Sequence, residues 1–180
     1  KILTTLASVS PKPTLAVIQV GNDEASSTYI AQKKKAAERI GAKFIHTRFP
    51  LTVSTDEIKK TIEQYNNNPM VHGVILQRPL PPHLYKMTQI ILLAKDVDGF
   101  LPNSPYTPPV AAAVLTILDE IHVPVGSCVV IGRGETAGKP ITDTLRKHGW
   151  TVTVVHSQTE NPADVIKKAH IIISCVGKGK

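Results

Sequence analysis

The stretch that decides the fold is Val129-Val-Ile-Gly132-Arg-Gly134-Glu-Thr-Ala-Gly138-Lys-Pro140. A run of apolar β-branched residues stops at a glycine, two more glycines follow, and a proline stands two residues after the third. This pattern predicts a buried strand that turns into a helix, with Pro140 in the first helical turn, where its missing N–H costs nothing. Glycines in such a turn let backbone approach a pyrophosphate, and the helix N-terminus offers N–H groups and the positive end of its dipole to phosphate oxygens. The spacing is G-x-G-x-x-x-G, one residue longer than the usual dinucleotide fingerprint, so the turn alone also fits a purely structural connection.

The next strand sharpens the reading. A site selective for NAD usually ends that strand in Asp or Glu, which holds the ribose hydroxyls, whereas this chain has His156-Ser-Gln-Thr159. No carboxylate stands there to repel a 2′-phosphate, and Arg133, His156 and Ser157 can donate to one. The expected cofactor is therefore NADP, held by Gly132, Arg133, Gly134, Gly138, His156 and Ser157.

Outward from this turn, strand and helix signals alternate through the whole chain. Strands are expected at Thr14–Val20, Lys43–Phe49, Gly73–Gln77, Ser127–Ile131, Thr151–His156 and His170–Val176. Helices are expected at Ala25–Ile40, after the Ser54/Glu57 capping box, at Leu84–Ala94, Val110–Ile121, Lys139–His148 and Pro162–Ala169. The cluster Pro102, Pro105, Pro108 and Pro109 marks a boundary. The predicted class is α/β in two lobes: residues 1–108 a three-layer catalytic and substrate-binding domain, residues 109–180 a dinucleotide-binding domain with a parallel sheet.

Composition bounds the function classes. The 180 residues carry 42% apolar and 19% charged side chains, which describes a globular protein and excludes disorder and collagen-like repetition. No apolar stretch approaches the roughly 20 residues that cross a bilayer, so no membrane partner is expected. Cys128 and Cys175 lie in apolar runs without C-x-x-C spacing, and the expectation is two core thiols in a reducing cytoplasm. The histidines show no metal-ligand spacing, so no metal is expected. A formal charge of +7 points to an anionic partner. With 4% aromatic residues, and only Tyr29 close to the Lys33-Lys34-Lys35 run, nucleic acid is the weaker candidate.

Tyr29 and Lys33 stand four apart on one predicted helix and share a face. Gln77 ends a buried parallel strand, at the edge where ligands bind in open α/β sheets, and Asp98 lies in the loop Asp96-Val-Asp-Gly99. A lysine beside an amide can shuttle protons, and an aspartate can grip an amino-heterocycle through paired hydrogen bonds.

Tyr29-Ile-Ala-Gln-Lys33, Gly73-Val-Ile-Leu-Gln77-Arg-Pro-Leu-Pro81, Lys95-Asp-Val-Asp-Gly99, Thr107-Pro108, Val130-Ile-Gly-Arg133 with Gly138-Lys-Pro140, and His156-Ser-Gln-Thr159 occur in that order. In this the chain resembles the bifunctional methylenetetrahydrofolate dehydrogenase/cyclohydrolase family over nearly its whole length from Pro13. The resemblance implies a C-terminal Rossmann-like domain, NADP-dependent oxidation of methylenetetrahydrofolate to the methenyl form, and hydrolysis of that form to formyltetrahydrofolate. It implies that Lys33 is the general acid/base of the hydrolysis, that Gln77 orients it, that Tyr29 packs on the folate rings, that Asp98 anchors the pterin, and that Pro79 borders the substrate. It further implies a folate substrate, possibly polyglutamylated, and a cytoplasmic homodimer.

The chain departs from the family pattern at Gly134, where a serine is usual, and at Arg78, where an apolar residue is usual and where the side chain, beside Gln77, either binds substrate carboxylates or points to solvent, the latter being slightly favoured. Its segment between Gly99 and Thr107 is short. Lys1 falls within the family's first helix, and Lys180 precedes its last strands, glycine-rich folate loop and C-terminal helix. Two other readings start from the same residues: another two-lobed NADP oxidoreductase, and a basic nucleic-acid-binding module. Substrate choice and salt-dependent RNA affinity separate them from the first.

Overall fold

The computed structural model describes residues 10–177. The expected positions of Lys1 and Lys180 in the family pattern lie outside the described residues. The chain divides into two units, Lys1–Tyr106 and Thr107–Lys180.

The first unit is built on strands β1 (Thr14–Val20), β2 (Lys43–Phe49) and β3 (Gly73–Leu76), all parallel in the order β2-β1-β3. Helix α1 (Glu24–Arg39) starts where the Asp23 carboxylate accepts from the Ser26 N–H, and α2 (Thr55–Asn67) starts at the capping box of Ser54 and Glu57. Alternation along β1 assigns the two faces of the sheet. Ala16, Ile18 and Val20 pack with Ile58, Ile62 and Tyr65 of α2, while Val17 packs with Ile30 of α1 and Ile75 of β3. The result is helix, sheet and helix in three layers.

One element differs from expectation. In place of a helix over Leu84–Ala94 the chain forms 3₁₀ segments at Pro82–Ile90 and Leu93–Lys95. Leu84, Met87 and Ile90 recur every three residues, the 3₁₀ period, and all three meet the core against α2. Asn66 then ends the first segment: its Nδ2 donates to the Ile90 carbonyl at 2.7 Å and its Oδ1 accepts from the Leu92 N–H at 3.1 Å. Lys95 Nζ donates to the carbonyls of Tyr65, Asn66 and Asn68 at 2.7–2.8 Å, supplying the cation that the last turn of α2 lacks. Burial in that position pushes the Lys95 ammonium below its ordinary pKa.

The second unit carries α3 (Pro109–Glu120), β4 (Ser127–Ile131), α4 (Gly138–Lys147), β5 (Thr151–Val155), α5 (Pro162–Lys167) and β6 (Ile172–Ser174). Its strands are parallel in the order β5-β4-β6. Cys128, Val130 and Val152 of one sheet face pack with Ala111 and Leu118 of α3, Ile141 and Leu145 of α4, and Trp150. Both cysteines are free, and burial pushes both thiols above their ordinary pKa, so neither is primed as a nucleophile.

The two sheets share one topology. In each the first strand is central, the second lies on one side, and the chain then crosses to the other side. This creates a reversal point at the carboxyl end of the central strand, where open α/β sheets bind ligands. No helix among the described residues is long and apolar enough to cross a membrane.

Candidate active site and nucleotide site

At the carboxyl edge of the first sheet, Gln77 follows β3 directly, its N–H bonded to the Ile18 carbonyl at 2.9 Å. Its side chain faces α1, as does that of Ile75 two residues earlier. There Lys33 Nζ donates to Gln77 Oε1 at 2.9 Å, closing a contact between residues 44 apart in sequence. Gln77 Nε2 donates to the Arg78 carbonyl at 2.9 Å. A carbonyl can only accept, so this bond turns the NH₂ group toward Arg78 and the amide oxygen toward Lys33. The lysine thus meets a neutral acceptor and is not locked into an ion pair.

The Lys33-Lys34-Lys35 run is divided by this arrangement. Lys33 is half-buried against Gln77, Lys34 is exposed 3.9 Å from Glu38, and Lys35 is exposed. Tyr29, one turn earlier on α1, is exposed, as is Pro79 after the cis Arg78–Pro79 peptide.

Asp98 is brought to the same place by the loop after the second 3₁₀ segment. Val97 fills the space beside Gly73, where a Cβ would come within 2.8 Å of it. Asp96, 3% exposed, ties the loop down: its Oδ2 accepts from the Leu101 N–H at 2.9 Å. Burial raises the Asp98 carboxyl above the usual aspartate range, the charges of Lys33 and Arg78 pull it back, and Asp96 adds to the rise. Lys33, Gln77, Arg78 and Asp98 therefore form one electrostatic cluster.

One member of this neighbourhood was not expected from sequence, and a second was expected beside Gln77 but slightly favoured to face solvent. Ser26 is buried at 4% exposure, its hydroxyl between Asp23 Oδ1 at 2.7 Å and the Arg78 carbonyl at 3.0 Å, so it joins the start of α1 to the end of β3. Its position three residues before Tyr29 was the available signal. Arg78 itself does not simply face solvent: it is half-buried, with its guanidinium carbon 4.5 Å from the centroid of the Phe100 ring. The expectation of exposure failed because Phe100, distant in sequence, supplies a cation–π platform.

In the second unit the turn from β4 to α4 has the shape a dinucleotide phosphate needs. Gly132 has φ +107, in the region that favours glycine, and its N–H bonds to the Val155 carbonyl at 2.8 Å. A Cβ on Gly138 would collide with the Gly132 carbonyl and lie 2.9 Å from the Arg133 nitrogen, so α4 packs onto the turn only because residue 138 has no side chain. Gly134 differs: nothing lies within 4 Å of a Cβ there, and its carbonyl accepts from the Lys139 N–H at 3.0 Å. The helix start is thus less open than the glycine spacing suggests, since the Lys139 amide is already paired and Pro140 has none. No side chain caps α4.

Arg133 reaches from this turn to the loop after β5, donating to Gln158 Oε1 at 2.8 Å. Gln158 is a site neighbour that the sequence reading did not assign. The loop is held by the His156 N–H to Thr159 Oγ1 at 2.9 Å and by the Gln158 N–H to His156 Nδ1 at 3.2 Å. Because Nδ1 accepts, the proton of the neutral imidazole sits on Nε2, available to a phosphate oxygen. Ser157 is exposed beside it. The glycine cradle, the uncapped helix and these donors fit the phosphates of NADP. Among the described residues no group of three or more His, Cys, Asp or Glu could hold a metal ion.

Comparison with known proteins converges on one family. Residues 1–98 match the tetrahydrofolate dehydrogenase/cyclohydrolase catalytic domain, and residues 108–180 match the NAD(P)-binding domain of the same family. The bifunctional protein FolD of Agathobacter rectalis is 40% identical over 179 residues, covering 92% of this chain and 64% of that protein. The chain therefore spans somewhat less than two thirds of the length of the curated relatives it matches. The crystal structure of the bifunctional enzyme FolD, methylenetetrahydrofolate dehydrogenase/cyclohydrolase, from Campylobacter jejuni aligns with a TM-score of 0.89 at 30% identity, covering 98% of this chain and 67% of that one. The methylenetetrahydrofolate dehydrogenase-cyclohydrolase of Trypanosoma brucei, solved with NADP cofactor and an inhibitor, aligns with a TM-score of 0.89 at 29% identity and the same coverage. With both family domains matched in order and the lysine–amide pair and glycine cradle in place, the chain belongs to the tetrahydrofolate dehydrogenase/cyclohydrolase family.

Proposed function

We propose that the protein acts twice on a folate-bound one-carbon unit, oxidising methylenetetrahydrofolate to the methenyl form with NADP and hydrolysing that form to formyltetrahydrofolate. The observation that carries this reading is the 2.9 Å bond between Lys33 Nζ and Gln77 Oε1, with the amide fixed from behind by the Arg78 carbonyl. Hydrolysis adds water to the methenyl carbon and breaks one carbon–nitrogen bond, so a proton must leave the water and another reach the departing nitrogen. Lys33 Nζ takes and returns it as general acid/base. Gln77 orients Nζ through a neutral acceptor and leaves it free to exchange that proton.

Asp98 binds the amino-heterocycle of the pterin, Tyr29 packs against the folate rings, and Pro79 borders them. NADP, when bound, supplies the hydride acceptor. This chain's part in that step is positioning: Asp98 and Tyr29 hold the folate, and the Gly132–Gly138 turn with Arg133, His156 and Ser157 holds the dinucleotide. The end of β5, where His156 and Ser157 stand in place of Asp or Glu, supports NADP over NAD. The domain boundary is taken at residues 108 and 109. The resemblance to the family also supports a cytoplasmic homodimer.

The test is Lys33→Met, assayed separately for hydrolysis of the methenyl compound and for NADP reduction. Hydrolysis falls by about 10²–10⁴-fold, the usual worth of a positioned acid/base. Hydrolysis with unchanged rate and pH dependence would refute the assignment.

A further inference from the structure

Gln158 stands at the nucleotide site without a task in the reading above. The register that pairs Ile131 of β4 with Val155 of β5 sets the two strand ends side by side, and the loops leaving them meet at the carboxyl edge of the sheet. There Arg133 Nη2 donates to Gln158 Oε1 at 2.8 Å, across 25 residues of chain. The loop that carries Gln158 is fixed by its own bonds. The His156 carbonyl accepts from the Thr159 N–H at 2.9 Å, the Thr159 hydroxyl accepts from the His156 N–H at 2.9 Å, and His156 Nδ1 accepts from the Gln158 N–H at 3.2 Å. Arg133 is long and exposed on a glycine-rich turn, so unrestrained it samples many rotamers, and binding must remove that freedom. An amide oxygen orders the guanidinium without neutralising it, whereas a carboxylate in the same place would cancel its charge and repel a phosphate. This bond engages one of five N–H donors, and the planar fork retains others for a second acceptor. Lys139, the other cation of the turn, is committed to Asp143 Oδ2 at 2.5 Å, one turn along α4.

We propose that Gln158 is a positioning residue that sets the preference for NADP over NAD, holding the Arg133 guanidinium ready for the 2′-phosphate through a neutral acceptor. The proposal rests on the NADP reading above. Ordering one rotamer-rich side chain in advance is worth about 3–10-fold in affinity, and only for the dinucleotide that carries the extra phosphate.

The experiment measures Kd for NADP and for NAD by isothermal titration on the whole chain. Gln158→Met keeps the length of the side chain and removes the acceptor; it weakens NADP by about 3–10-fold and NAD by less than about 2-fold. Gln158→Glu keeps an acceptor and adds a charge, and it weakens NADP by more than Gln158→Met does. In an Arg133→Ser background, Gln158→Met changes NADP affinity by less than about 2-fold, because the group it positions is gone. Native NADP affinity in either Gln158→Met or Gln158→Glu overturns the proposal. So does an equal loss for both dinucleotides, since the loop as a whole would then have moved. The same loss with and without Arg133 also overturns it, because Gln158 would then contact the cofactor directly. Native protein that binds NAD as tightly as NADP overturns the NADP reading itself, a different failure from a native preference that survives Gln158→Met.

Discussion

Gly138→Ala puts helix propensity and tertiary packing in direct opposition. On propensity alone the change stabilises, because alanine in a helix is favoured over glycine by about 1 kcal/mol. The structure reverses the sign. A Cβ at this position would overlap the Gly132 carbonyl group and lie 2.9 Å from the Arg133 nitrogen, against the roughly 3.5–4.0 Å of an ordinary carbon contact. Every atom in that contact is backbone, so no side-chain rotation relieves it and the turn must move by about 1 Å. Overpacking of this severity costs about 3 kcal/mol, the upper part of its usual range, which leaves a net loss of about 2 kcal/mol. For a unit of this size that lowers the thermal midpoint by about 8–16 °C.

Trp150 reads the transition of the second unit selectively, because it is the chain's single tryptophan and sits 6% exposed in that unit's core. The displaced turn also weakens NADP binding, which isothermal titration measures independently. Gly134→Ala is the control for packing: the same methyl group meets no protein atom within 4 Å and leaves the thermal midpoint within error. A Gly138→Ala midpoint equal to or above the native one, with unchanged NADP affinity, would refute the claim that the cradle depends on this close approach.

Three further outcomes follow from the site and its supports. Burial raises the Asp98 carboxyl, so folding favours its protonated form; the cost of ionising it is absent below the unfolded pKa and fully present once pH exceeds the folded one. Asp98→Asn therefore raises stability at neutral pH by about 1 kcal/mol in a denaturant titration, while weakening folate binding by about 10–100-fold. Native folate affinity falls as pH drops through a value above the ordinary aspartate range, measurable by fluorescence titration. Lys95→Met leaves three carbonyls at the end of α2 without their cation and destabilises the first unit by about 1–3 kcal/mol, with hydrogen exchange rising first in the last turn of α2. Arg133→Ser raises KM for NADP by about 10-fold and that for NAD by less than about 2-fold, in steady-state assays with each dinucleotide.

Much of the fold is legible in the sequence because it is written in local chemistry. Short β-branched runs, the Ser54–Glu57 box and the glycine turn each act within a few residues, and each forms where its pattern stands. The lost helix at Leu84–Ala94 shows the limit. Its i, i+3 spacing is compatible with two helix types, and the choice is made by Asn66, which takes a carbonyl and an amide from the segment across more than twenty residues of chain.

The sequence by itself determined that two parallel sheets alternate with helices, that Gly132–Gly138 leads into a helix start suited to phosphates, and that Tyr29, Lys33, Gln77 and Asp98 are the residues to watch. Tertiary structure alone decided which lysine of three adjacent ones meets Gln77, which way that amide points, that Arg78 stacks on Phe100, and that Arg133 pairs with Gln158. Three of the four share one physical reason: the contact joins side chains that only the crossover from one side of a central strand to the other, or the return of a loop, brings within hydrogen-bond or stacking distance, and no local period encodes that meeting, while the amide direction is set by the adjacent Arg78 carbonyl.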